Sequence, residues 1–197
     1  MFLRVRNPRG TSVLPLNIVL HGNSMFGSGS VGSKLATLLP SAIVTESSIG
    51  NATLTGLGGS YSLNGNFSTD VHANFVASGR INRVYVWEGI DEINDHSGTA
   101  ASCYASHQTY VNTAKANGWQ VFVCTIVATT EFPELQSIRD GCDTLLRADA
   151  AGGTGVGDFY ADVRMQDASD LTYFDAGGIH LTSAGGDVCA GILAAIP

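Results

Sequence analysis

Leu16-Asn17-Ile18-Val19-Leu20, running into His21-Gly22-Asn23-Ser24-Met25-Phe26-Gly27, is the stretch that decides the fold. Its first five residues have the length and the apolar, β-branched content of a buried strand, and a Gly-Asn-Ser turn ends it. Four further runs of the same kind follow, at Ala42 to Thr45, Arg83 to Trp87, Gln120 to Val127 and Gly157 to Val163. Segments with helical period or helix-start signals lie between them: Ser33 to Leu39, Ser68 to Ala77 after the cap-like Ser68-Thr69-Asp70, Ser97 to Asn117, and Glu131 to Ala148. A last helix is expected from Thr182 to the C-terminus, and Gly118 is expected to stop the helix before it. Strands that alternate with helices, and that are apolar throughout, predict an α/β protein: a three-layer α/β/α sandwich with a mainly parallel five-stranded sheet.

In such sheets ligands bind beyond the carboxyl ends of the strands. The functional search therefore narrows to the loops His21 to Ser30, Glu46 to Leu57, Glu88 to Ser97, Thr129 to Pro133 and Gln166 to Thr182, with Thr53 to Asn66 reading as a long Gly-, Ser- and Asn-rich loop. At 197 residues and 44% hydrophobic content, residues 1–197 are expected to form one domain with a substantial core. A formal charge of −7 and ten scattered Lys and Arg residues argue against nucleic acid as a partner. The N-terminal MFLRVRNPRG breaks the apolar stretch a signal peptide needs, and no run approaches the roughly eighteen apolar residues of a membrane span. The expectation is a soluble, unexported protein without a membrane partner, cytoplasmic or part of a larger particle, unless a leader has been removed. Nothing in the sequence speaks to oligomeric state.

Ser24 falls just past the first strand, at a turn leading toward a helix, where a serine hydroxyl can stand exposed beside amide dipoles. Alone, a Gly-Asn-Ser turn is ordinary chain-turning chemistry. At the other end, Gly178-Ile179-His180-Leu181-Thr182-Ser183-Ala184-Gly185 places a histidine immediately before a capped helix. Together, a serine after the first strand and a histidine before the last helix satisfy what a nucleophile and base need to meet across the top of one sheet.

With Gly22-Asn23-Ser24, Gly50-Asn51-Ala52-Thr53, Trp87-Glu88-Gly89-Ile90-Asp91-Glu92 and Gly178-Ile179-His180-Leu181-Thr182 in this order at strand ends, the chain resembles the SGNH, or GDSL-like, hydrolases. The resemblance implies a flavodoxin-like sheet, no cofactor, and a serine esterase acting on small acyl esters, preferentially acetyl esters and with carbohydrate as an alcohol component. It assigns Ser24 as nucleophile and as one backbone oxyanion donor, Gly50 as a second amide donor, and His180 as general base. Donors of this kind are worth about 3 to 4 kcal/mol each in measured cases.

Two positions depart from the family pattern. Asp91 stands where the family places an asparagine that donates to the oxyanion. It is carried as an oxyanion-hole position with three alternatives: a protonated Asp91, an Asp91 that turns away while Asn94 reaches in, or a hole of two backbone donors. Gly177 stands where the family places the acid three residues before the histidine, which leaves Asp175 to orient His180, or a backbone carbonyl to do so in a Ser-His dyad. The rival from another class is a glycan-binding module with the same fold and weakened or no turnover.

Gly27-Ser28-Gly29-Ser30-Val31-Gly32 matches a dinucleotide fingerprint, but six residues separate it from the strand end, whereas a true Rossmann glycine follows the strand at once. The acidic run Glu88 to His96 lacks the pattern of a calcium loop, and Glu92 and Asp95 read as a solvated turn. His21, His72, His96 and His107 share no spacing, and Cys103, Cys124, Cys142 and Cys189 form no metal-ligand pattern, so no metal is expected. The cysteines read as free thiols, with a Cys103–Cys142 pair left open. Trp87, Phe132 and Tyr61 are left as either cleft or core.

Overall fold

The structure is a computed structural model that describes residues 14–94, 97–149 and 155–197. The charged N-terminal decapeptide, Asp95 and His96 lie outside the described residues. Five parallel strands form the sheet: β1 (Leu16–Gly22), β2 (Ile43–Ser48), β3 (Ile81–Trp87), β4 (Gln120–Cys124) and β5 (Gly155–Gly157), in the order β2-β1-β3-β4-β5. The intervening helices are α1 (Ser24–Ser28), α2 (Val31–Leu38), α3 (Phe67–Asp70), α4 (Ile90–Asn94), α5 (Ala100–Ala116), α6 (Gln136–Asp149) and α7 (Ser183–Ala194).

Successive side chains of one strand feed opposite faces. Ile18 and Leu20 of β1 join Tyr85 and Trp87 of β3 in a core covered by Val31 and Leu35 of α2 and Val188, Cys189 and Leu193 of α7. Val19, Val84, Val86, Val121 and Val123 point the other way, against Tyr110 and Val111 of α5 and Leu146 of α6. Both faces are covered, so Ile18-Val19-Leu20 of β1 and Val84-Tyr85-Val86-Trp87 of β3 are apolar at successive rather than alternate positions. His21 enters the second core, with Nδ1 2.7 Å from the Tyr110 hydroxyl and Nε2 3.3 Å from Asp70. Burial holds its pKa down to about 4 against the opposing pull of Asp70, so the ring is neutral at physiological pH.

Several boundaries differ from the sequence expectation. The fifth strand ends at Gly157, before most of the predicted run, because Asp158 turns to pair with Arg147 at 2.7 and 2.8 Å. Phe159 to Met165 then forms two 3₁₀ turns with Val163 exposed. The helix expected over Ser68 to Ala77 shrinks to α3 and one 3₁₀ turn. Asn66 and Asn74 spend their side-chain amides on the carbonyls of Ser62 and Asp70, an alternative to a continuing helix. α5 starts at Ala100 through a Thr99/Ser102 capping box, and α6 starts only after a turn at Pro133. Helices α1 and α4, inside expected loops, were not foreseen.

Candidate active site

The strand order reverses its direction of growth at β1, and a parallel sheet opens a crevice at such a point beyond the strand ends. Ser24 lies there as the first residue of α1, half-buried, directly after β1. Asn23 caps the helix, its Oδ1 accepting from the Met25 amide at 3.0 Å, and its own amide reaches the Trp87 carbonyl at 3.3 Å. The serine is thereby tied to the ends of two adjacent strands.

His180 arrives from the far end of the chain on a loop with bonds of its own. Asp175 donates its amide to the His180 carbonyl at 2.8 Å, and Gly178 donates to the Asp175 carbonyl at 2.9 Å. Thr182 caps α7 immediately afterwards. Ser28 joins the two ends of the chain: its Oγ donates to the Met25 carbonyl and accepts from the Leu181 amide, both at 3.1 Å. Gly29 and Gly186 pack backbone to backbone at the same crossing, so that a Cβ on Gly186 would fall inside the Gly29 carbonyl.

The result is a contact across 156 residues of sequence, with Ser24 Oγ 2.9 Å from His180 Nε2. On the other side of the ring, Nδ1 is 3.6 Å from Asp175 Oδ2, with the two side chains 40% and 43% exposed. That separation supports a charge interaction rather than a short hydrogen bond. Asp175 Oδ1 meanwhile accepts from the Gly177 amide at 3.1 Å, which fixes the carboxylate from its own turn. The three groups border an open cleft of about 480 Å³, completed by Gly27, Ser28, Ser48, Gly50 and Leu181. Gly50 is exposed, with open space where a side chain would stand.

Asp91 goes elsewhere. It is buried in the first turn of α4, its Oδ2 accepts from Asn23 Nδ2 at 3.1 Å, and it is not among the cleft-lining residues. Its side chain thus supports the cap behind Ser24. Asn94 does not reach the cleft either: it is not among the cleft-lining residues, and its Oδ1 accepts from the buried Arg139 at 2.8 Å. The acidic turn is not solvated as expected: Glu88, Asp91 and Glu92 are all buried. Glu92 accepts from the Leu54 amide and from Ser106 Oγ, which accounts for its burial. Burial, reinforced by Asp91 and Glu92, pushes the Glu88 carboxyl well above the usual range. Trp87 is core, packed on Phe26 and Phe159, whereas Phe132 and Tyr61 are partly exposed and line no part of the cleft.

The glycine fingerprint also resolves. The Gly32 amide at the start of α2 donates to Glu46 Oε2 at 2.8 Å, so a carboxylate of the chain itself holds the position a phosphate would need. The cysteines are free and buried, and Cys103, His107 and Cys142 come together as one group of potential metal donors, on α5 and α6. Residue spacing missed this group because one of its members lies on a different helix. Sequence reasoning also missed the bracing roles of Asn23 and Ser28; the helix-capping preference of asparagine could have flagged the first.

No protein-family model and no curated protein matches the sequence. Solved structures do match. A lipolytic protein of the G-D-S-L family from Veillonella parvula superposes with a TM-score of 0.75 at 15% identity, over 92% of this chain and 97% of that one. The inhibitor-bound aryl esterase of M. smegmatis gives 0.70 at 14%, over 91% and 96%. The acetyl xylan esterase AlAXEase gives 0.69 at 14%, over 90% and 98%. At these identities the likeness is one of fold.

Proposed function

We propose that this chain, which has the SGNH hydrolase fold, is a serine esterase with Ser24 as nucleophile, His180 as general base and Asp175 as the residue that orients the base. The observation that carries the reading is the 2.9 Å contact between Ser24 Oγ and His180 Nε2 at the reversal point of the sheet. His180 Nε2 takes the hydroxyl proton as Ser24 Oγ attacks the ester carbonyl, and returns it to the departing alcohol. The same nitrogen then deprotonates a water that releases the acyl group from Ser24. The amides of Ser24 and Gly50 are the donors assigned to the tetrahedral oxyanion; Asp91, which accepts from Asn23, does not line the cleft.

The cleft favours a short acyl group. Of the residues that line it, Leu181 is the single large apolar side chain, and the rest are glycines, serines and the Ser24-His180-Asp175 set. An acetyl group needs no apolar channel, and an open polar rim suits a hydrated alcohol such as a carbohydrate, in keeping with the acetyl xylan esterase among the structural neighbours. On p-nitrophenyl esters, kcat/KM is expected not to rise from acetate to octanoate, since no pocket rewards each added methylene. A series that climbs roughly tenfold or more toward octanoate rules out the short-acyl reading without touching the assignment of Ser24.

Asp175→Asn tests the orienting role. In the serine-protease template the matching change costs about 10⁴ in turnover. Here the pair is 3.6 Å apart and half exposed, so a loss on the order of 10- to 100-fold is expected, read from kcat at constant fold. Unchanged kcat would remove Asp175 and leave a Ser-His dyad. A glycan-binding module without turnover is the second reading, favoured by one observation: no side-chain amide stands in the cleft to supplement the two backbone donors.

A further inference from the structure

On the face of the sheet opposite α2 and α7, α5 presents Cys103 and His107 one turn apart, and α6 presents Cys142 to them. All three are fully buried. One donor atom from each lies within 4.8 Å of the other two. Cys142 Sγ is 3.1 Å from Cys103 Sγ. Around a tetrahedral zinc with bonds of about 2.3 Å to sulfur and 2.0 Å to nitrogen, neighbouring donors stand about 3.5 to 3.8 Å apart. The cluster is thus within an ångström of that spacing along the edge between the sulfurs.

The histidine is prepared in the way metal-bound imidazoles are. Nδ1 lies 2.9 Å from the Cys103 carbonyl, an acceptor that fixes the proton on that nitrogen and leaves the lone pair on Nε2. Nε2 is buried without a hydrogen-bond partner among the described residues. A second orphan adjoins: Glu88 is buried and its Oε2 has no such partner. The Glu88-Gly89 turn abuts the cluster, because a Cβ on Gly89 would stand 3.1 Å from Cys103 Sγ. Arg139, one turn before Cys142, is directed away to Asn94, the Phe132 carbonyl and Gln136. Two thiols and an imidazole with a spare lone pair are thus gathered in the core, beside the turn that carries the unpartnered Glu88 carboxyl and with no cation provided by α6. A buried polar atom left unpaired is costly, and a divalent ion held by the two sulfurs would satisfy His107 Nε2.

We propose that Cys103, His107 and Cys142 bind one zinc-class divalent cation that clamps α5 to α6. Thiolate and imidazole donors select zinc over magnesium or calcium, which prefer oxygen. On binding, each thiol releases its proton to solvent as its sulfur bonds to the metal. The ion has no part in ester cleavage, since the cluster shares no residue with the Ser24 cleft.

The test uses the whole chain, reduced with a phosphine and stripped by chelator, titrated with Co²⁺. Expected is a near-ultraviolet sulfur-to-cobalt charge-transfer band that saturates at one cobalt per chain and disappears when Zn²⁺ is added. Zn²⁺ is also expected to raise the melting midpoint of the wild type and to leave that of Cys142→Ser where it was. Absence of the band in folded wild type whose four thiols titrate as reduced would overturn the proposal. So would a mass two hydrogens lower in protein purified without reductant, with Cys103 and Cys142 joined, because the two sulfurs would then be a disulfide. Both readings come from the wild type, so the outcome does not hang on whether a variant folds.

Discussion

Ser24→Ala and His180→Ala will each lower kcat for a simple acetate ester by about 10⁴-fold or more, and the double variant will be no slower than the slower single one. The size follows from what each group does. Without the hydroxyl no acyl-enzyme forms, and without the imidazole the hydroxyl keeps its proton at neutral pH. The shared ceiling follows from their 2.9 Å contact, which makes them one device whose parts have no value apart. Neither change should cost much stability, because Ser24 is half-buried and His180 is 40% exposed. Initial rates on all three variants, with far-ultraviolet dichroism to show an intact fold, check this. A double variant far slower than either single one would show that the two residues act independently.

Gly186→Ala is expected to damage stability and catalysis together. At an ordinary helix position, replacing glycine by alanine gains about 1 kcal/mol. In α7 the added methyl would enter the backbone of Gly29, with its carbonyl oxygen, carbonyl carbon and Cα all in the way, and no rotamer can relieve a clash with main chain. α7 must move off the α1–α2 turn, at a net cost of about 2 to 3 kcal/mol. That crossing also sets the position of His180 relative to Ser24, since His180 precedes α7 and Ser24 begins α1. A displacement near 1 Å is worth up to about 100-fold in rate, so kcat should drop while KM changes little. The urea midpoint and the kcat/KM split are the measurements. A variant as stable as wild type, with unchanged kcat, would show that the helix crossing does not set the site.

How far the sequence could be read depended on how local each feature is. β1 and β3 were legible because Ile18-Val19-Leu20 and Val84-Tyr85-Val86-Trp87 must fill two cores at once, which leaves no room for polar alternation. β5 was not, because Gly155-Val156-Gly157 is short and glycine-rich, while the apolar residues after it belong to turns. Ser24 and His180 were legible as residues at element ends, where the chain must turn and capping chemistry shows. Their contact depends on Gly29 meeting Gly186 and on Ser28 bridging Met25 to Leu181, which no local pattern encodes. Asp91 was carried as an oxyanion-hole position because its place in the motif is an asparagine's, with a carboxylate that turns away left open as one alternative. Its observed partner is Asn23, on another strand end, so only the tertiary structure decides which way the carboxylate turns. The same holds for Cys142, whose neighbours Cys103 and His107 lie across a helix interface.

The most direct test of a Ser24-centred hydrolase is covalent: incubation of the folded chain with a fluorophosphonate, followed by digestion and mass mapping. A fluorophosphonate reacts with a serine only when a base withdraws its proton and donors hold the phosphonyl oxygen, the same two requirements that ester attack makes. The predicted result is one adduct per chain on the peptide that contains Ser24, absent in Ser24→Ala and slowed at least 100-fold in His180→Ala. An unlabelled wild type, or an adduct on any other residue, would contradict the assignment of Ser24 as the nucleophile.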